Sequence, residues 1–228
     1  MNAPIDTECA AVIAANRVMG LSREGAEMLM LKSTRRRFDA KEVVFRSGDL
    51  GDAMLILCSG RLASRTVSGR GDITYVDVSG PGEFVGTRMV LTSNARHGID
   101  VVALEPTVVR VLRRDAFDEI LIHHPRILRS LIDVLLDQTD RLTHRVGESN
   151  WEKADTRVRR RLVELAENYE TSTGCTITLT HDDIAAASGV TRPTASITVQ
   201  AGEQAGVLKI GRGRIIVSDL EALRAWSR

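Results

Sequence analysis

Residues 180–206, THDDIAAASGVTRPTASITVQAGEQAG, carry start and stop signals for two short helices divided by one glycine. Thr180 with Asp183 three residues on is an acidic form of the capping box, which meets orphan N–H groups at a helix start and predicts an Ala-rich helix over 181–187. Gly189 then stands where a residue without Cβ can take positive φ, and Thr191 caps a second helix with Pro193 in its first turn. This is the layout of a helix-turn-helix. Its second helix would present Arg192, Thr194 and Ser196 at the end where side chains of a recognition helix reach base edges in the major groove. Ile197, on so short a helix, is expected in the core. Gly202, where an apolar helix residue would be expected, predicts an early or loosened helix end.

The flanking sequence extends the motif. IGRGRIIV over 210–217 reads as a tight glycine-containing turn feeding a β-branched strand, a wing with Lys209, Arg212 and Arg214 at or beside its tip. SDLEALRAW predicts a last short helix capped by Ser218, with Glu221 at its third position. Helix, turn, helix, hairpin is the winged-helix order, and double-stranded DNA is the expected partner. The formal net charge is only +1, but charge is clustered: Arg157, Arg159, Arg160 and Arg161 share one stretch, and the wing adds more. Some of these arginines should pair with Asp155 or Glu164 at helical spacing, while Arg157, Arg160 and the wing are expected to meet phosphates. Modest nonspecific affinity and a real dependence on base contacts follow, with Thr180, Thr191, Arg192, Thr194, Ser196 and Arg212 as the candidate DNA-binding residues.

The first half has a different rhythm. Between Lys41 and Leu112, short apolar segments alternate with glycine-rich turns, which predicts an antiparallel β-roll or barrel preceded by a helix within 9–32. Residues 115–146 read as a long helical stretch broken near its start by Pro125. From Leu128 on it carries a heptad seam, with Leu128, Leu135 and Leu142 at one position and Ile132, Thr139 and Val146 at the other. Beside a DNA-binding module such a seam predicts a homodimer, whose two recognition helices would lie about one helical turn of DNA apart on a pseudo-palindromic site. The fold class is therefore α+β: a β-roll sensor domain over 1–114, a dimerisation helix over 115–150 and a winged helix-turn-helix over 151–228.

The chain has 228 residues, and no apolar run is long enough to span a bilayer, nor does its start read as a signal peptide; a cytoplasmic protein with no membrane partner is expected. Cys9, Cys58 and Cys175 are odd in number and far apart, so free thiols are expected rather than a disulfide framework or a metal site.

β-roll, long helix and winged helix in this order resemble the cyclic-AMP receptor protein and Fnr (Crp–Fnr) family of bacterial transcription regulators. The residues carrying the resemblance are SGDLGDAMLILCSGRL, GPGEFVG, AFDEILIHHPRILRSL and GVTRPTAS. It implies a homodimer that regulates transcription, contacting RNA polymerase if it activates. It also implies a nucleotide cassette at Gly86, Thr87, Arg88, Arg96 and His97, with Leu142 and Thr143 of the long helix facing adenine. Family members that bind cyclic AMP place a glutamate, an Arg-Ser pair and a Thr-Ser pair where Thr87, His97–Gly98 and Leu142–Thr143 stand here. Losing these charge-assisted partners argues against cyclic AMP. The alternative is a different anionic ligand held by a basic rim of Arg88, Arg96 and His97. The family's iron–sulfur branch needs an N-terminal cysteine cluster, of which only Cys9 is present, and nothing suggests haem. In the recognition helix the resemblance assigns Arg192 to guanine and Thr194 to phosphate, with Pro193 replacing a glutamate and Ile197 a second base-reading arginine.

An enzyme is the rival class, since a β-roll resembles the barrel of metal-dependent cupins. Those need clustered histidines and carboxylates, and only His97 of the five histidines lies in the β region. No metal site and no catalytic set is expected.

Overall fold

The computed structural model describes Cys9, residues 11–12, 23–171 and 174–228. The chain forms two compact units, one comprising the chain up to Ser64 with Ser79–Arg141, the other Arg65–Val78 with Leu142–Arg228. Apart from Arg65–Val78, which takes the end of β4 and all of β5 but its last residue into the second unit, the first unit runs from α1 (Arg23–Lys32) through strands β1 (Thr34–Phe38), β2 (Val43–Phe45), β3 (Ala53–Ser59), β4 (Leu62–Val67), β5 (Ile73–Ser79) and β6 (Phe84–Val85). The short helix α2 (Thr87–Leu91), β7 (Asp100–Ala103), β8 (Thr107–Arg113) and α3 (Arg114–His123) complete it. These strands make two four-stranded sheets ordered β1-β8-β3-β6 and β2-β7-β4-β5, the expected β-roll.

β3 shows why the segment reads as an unbroken apolar run. Successive side chains of a strand point to opposite faces, and here both faces are covered. Met54 and Ile56 join a core with Leu29 and Met30 of α1, Phe117 and Ile120 of α3, and Ile127, Leu131 and Val134 of the long helix. Leu55 and Leu57 instead face Phe38, Leu62, Val101, Ala103 and Val109 in the second core. Arg110 of β8 donates to Met30 O and Ser33 O at the C-terminal end of α1, where carbonyls without intrahelical donors favour a cation.

Cys9 and Cys58 are joined by a disulfide, with Cα atoms 4.8 Å apart, which corrects the expectation of free thiols at both. Their separation of 49 residues gave no hint, because bridging depends on Cα distance in the fold. Cys175 takes no part in a disulfide and is buried, its thiol donating to Ala166 O.

The helical break falls where Pro125 stands: α3 ends at His123 and α4 runs over Arg126–Trp151, past the expected end at Val146. The second unit holds the end of β4 and β5 up to Val78, the last part of α4, α5 (Ala154–Tyr169), β9 (Glu170–Thr171), β10 (Gly174–Ile177), α6 (His181–Ser188), α7 (Arg192–Gln204), β11 (Leu208–Gly211), β12 (Arg214–Val217) and α8 (Leu220–Trp226). Its sheet is ordered β11-β12-β10-β9. Two local readings are corrected here. Asp219, not Ser218, caps α8, its carboxylate accepting from Glu221 N and Ala222 N. Gly202 does not end α7: it is buried inside the helix, and a Cβ there would lie 2.7 Å from Leu208 Cδ1 and 3.2 Å from Trp226 Cη2. Its missing side chain lets β11 and α8 close against the helix. No helix among the described residues is long and apolar enough to cross a membrane.

Candidate nucleic-acid interface

The start of α6 is held by the full capping box. Thr180 N and its hydroxyl donate to Asp183 Oδ2 at 3.0 and 2.7 Å, and Asp183 N donates back to Thr180 Oγ1 at 3.2 Å. Gly189 closes the helix in the left-handed conformation, at φ 60°. Thr191 then caps α7, accepting from Thr194 N, and Pro193 sits in the first turn where no N–H is needed. Ala195, Thr198, Val199 and Gly202 turn inward, so Arg192, Pro193, Ile197 and Gln200 are left on the exposed side.

That placement separates the candidate residues by chemistry. The Arg192 guanidinium is exposed and lies 3.5 Å from Asp182 on α6, an ion pair in water that is weak and readily exchanged for a base or phosphate. Ser196 shares a 3.0 Å hydrogen bond with His181 Nδ1, and Thr191 one of 3.0 Å with Thr194, each linking neighbours along this face. Thr180 stands differently: its hydroxyl proton is committed to Asp183, so it can donate to a phosphate only by opening the capping box. Arg212 forms the wing tip with Gly213, at φ 67°, and with Lys209 and Arg214 it is exposed. Ile197 corrects the expectation of a core position: it is 68% exposed.

The arginines of α5 serve the domain itself. Arg157 donates to Gly189 O at 3.3 Å, tying α5 to the turn. Arg159 lies over the Trp226 ring, 4.4 Å from its centroid, and pairs with Asp155 at the expected helical spacing. Arg160 bridges to Glu148 and Glu152, and the buried Arg161 to Glu164. The basic run that composition offers to phosphates is thus largely spent on internal carboxylates and carbonyls.

One contributor has no signal in the motif. Tyr75, on the hairpin, is buried and donates its hydroxyl to Asp183 Oδ1 at 2.8 Å, so the carboxylate that caps α6 also anchors the hairpin. Burial, and next the Asp183 charge, push the phenol above its ordinary range, so it stays a donor. Beside it Arg145 of α4 donates to Val76 O and pairs with Asp77 and Glu164.

In the first unit the candidate effector residues are closely packed. Gly86 precedes α2, and Thr87 is buried as its first residue. His97 is buried and stacks on Phe45, ring centroids 4.1 Å apart. A Cβ on Gly51 would meet Met89 Sδ at 2.6 Å and His97 Nε2 at 2.7 Å, and one on Gly86 would come within 3.8 Å of both side chains. Arg96 is exposed, but its guanidinium donates to Gly48 O at 2.6 Å and closes the turn before β3. Arg88 is exposed. Leu142 and Thr143, the residues assigned to adenine, belong to the second unit and are exposed on α4. Among the described residues no cluster of His, Cys, Asp and Glu is arranged to hold a metal ion.

Comparison with known proteins matches both halves. A family model described as a cyclic nucleotide-binding domain covers residues 35–124, and one described as a Crp-like helix-turn-helix domain covers residues 156–226. The chain is 25% identical over 204 residues to the cyclic AMP receptor protein of Thermus thermophilus, spanning 90% of this chain and 93% of that one. It is 24% identical over 197 residues to the CRP-like cAMP-activated global transcriptional regulator of Mycobacterium tuberculosis, over 84% of this chain and 87% of that one. In fold it is similar to FixK2 of Bradyrhizobium japonicum, at 18% identity and a TM-score of 0.74 over 85% of this chain and 96% of that one.

Burial lowers the pKa of His97 from 6.5, with Asp49 opposing more weakly, so the unfolded chain binds this proton more readily than the folded one. Stability then rises with pH wherever the unfolded state holds the extra proton: the contribution is whole above 6.5 and is lost as pH falls below it. The urea midpoint should accordingly drop more steeply from about pH 7 to pH 5 in the native chain than in His97→Gln. Parallel profiles would show that His97 is not the group concerned.

Proposed function

Because the chain belongs to the Crp–Fnr family of transcription regulators, we propose that it acts as a homodimer reading a pseudo-palindromic DNA site through α7, without cyclic AMP as its effector. As a regulator acting on DNA it would work in the cytoplasm. The observation that carries the reading is the outer side of α7, where Arg192 is exposed at the N-terminal end of the helix and Ile197 and Gln200 share that side.

The dimer is supported by a second apolar stripe on α4. Ile127, Leu131 and Val134 are spent on the core of their own unit, yet Leu128, Ile132, Leu142 and Val146 are exposed, Ile132 by 48% and Val146 by 62%. An apolar stripe at coiled-coil spacing left in water is best covered by its own copy.

Against cyclic AMP stands the chemistry of the cassette. A ribose hydroxyl would meet buried Thr87 in place of a carboxylate, and a cyclic phosphate would meet His97, which burial keeps neutral. Met89 and His97 crowd Gly51, and Arg96 holds a turn carbonyl. The residues present do not fit the nucleotide. The same facts weigh against another anion at Arg96 and His97.

Three measurements test these points. Arg192→Ala should cost about 1–3 kcal/mol per half-site on a duplex selected from a random pool and much less on a scrambled one. An equal loss on both would make Arg192 a phosphate clamp. Ile132→Asp leaves the protomer folded, because the site is exposed, but sets a carboxylate in the seam at a cost of several kcal/mol. Light scattering should find it monomeric at concentrations where the native chain is dimeric; an intact dimer would place the interface elsewhere. Calorimetry with cyclic AMP should show no binding heat, whereas saturable binding that alters DNA affinity would restore the nucleotide as effector.

A further inference from the structure

Ile197 is the one large apolar side chain of α7 turned outward among the described residues, 68% exposed while Ala195, Thr198 and Val199 on either side of it in sequence are buried. The isolated protomer gains nothing evident from it. A β-branched residue lowers helix propensity relative to Ala, Arg or Gln, and an exposed one buries no area in return. Its neighbours on the face are Arg192, Pro193, Ser196 and Gln200.

We propose that Ile197 reads thymine, its branched side chain making van der Waals contact with the C5-methyl group on the major-groove edge. The inference rests on α7 being the DNA-reading helix. That methyl is the apolar feature of the major-groove edges; the other edge groups there are hydrogen-bond donors or acceptors. Pro193 lies one turn before Ile197, so the side chain stands with the residues at the reading end of the helix. Restricted χ1 freedom leaves little rotamer entropy to lose on contact. Cytosine at the same place would set its N4 donor against an apolar group and leave that donor without a partner, which turns an apolar contact into selection for thymine. Arg192 and Ile197 together would read a guanine and a thymine within one half-site.

The test uses the full chain and the duplex selected for it, with each thymine replaced singly by deoxyuridine, a change that removes only the methyl group. The native protein should lose about three- to tenfold in affinity per half-site at one position, the size expected for one lost methyl contact. Ile197→Ala should lose a similar factor on the thymine duplex and be indifferent to deoxyuridine at that position, while Arg192→Ala keeps its sensitivity there. Native and Ile197→Ala proteins with the same deoxyuridine profile would overturn the proposal and leave DNA reading by α7 intact. Failure of any duplex to be selected would overturn both. Unchanged affinity of Ile197→Ala on the thymine duplex would likewise overturn the proposal.

Discussion

The carboxylate of Asp183 is buried, and a buried charge is tolerated only when its lone pairs are met. Here they are met by Thr180 N, the Thr180 hydroxyl and the Tyr75 hydroxyl. That group fixes where α6 begins, the start of α6 leads into the turn at Gly189, and the turn sets how α7 and Arg192 follow; in the proposed function this is the angle at which Arg192 would meet a groove. Arg157 secures the same turn from α5 through Gly189 O. If α7 reads DNA as proposed, its surface is positioned by groups that need not touch DNA, and a change at Tyr75 or Arg157 would act through geometry.

Charge follows the same division of labour. The α5 arginines look like a phosphate-binding run in one dimension, but in the fold they hold Glu148, Glu152, Glu164 and the Trp226 ring. What is left facing solvent on the reading side is sparse: Arg192, paired to Asp182, and the wing tip. A surface with few free cations gains little from counterion release, so the proposed reading rests more on base edges than on phosphates. An exposed isoleucine on that surface has a natural place in such a scheme.

α4 and the effector region show how far a pattern can be read. The seam from Leu128 to Val146 was visible because heptad spacing is a property of one helix; of its apolar residues Leu128, Ile132, Leu142 and Val146 are exposed in the protomer and Leu135 is half-buried. The stripe one residue away, Ile127, Leu131 and Val134, is spent on the core of the protomer itself. At the effector region the departures at Thr87 and His97 were visible by position, but the stacking of His97 on Phe45 and its crowding of Gly51 were not. These contacts join β2, the turn before β3 and the segment after α2, and no local spacing encodes them.

By itself the sequence determined whatever depends on short-range chemistry: the capping box at Thr180, the left-handed Gly189, Pro193 in the first turn, the break at Pro125 and the alternation that makes the roll. Hydrogen bonds three or four residues apart and side-chain periods of two and 3.6 act within one element, so they can be read in order along the chain. Only the tertiary structure decided which side of α7 faces out at Ile197, why Gly202 is a glycine, that Cys9 reaches Cys58, and that Tyr75 answers Asp183. Each of these depends on a distance between segments far apart in sequence, set by how whole cores close. Packing of that kind leaves no periodic mark in the chain.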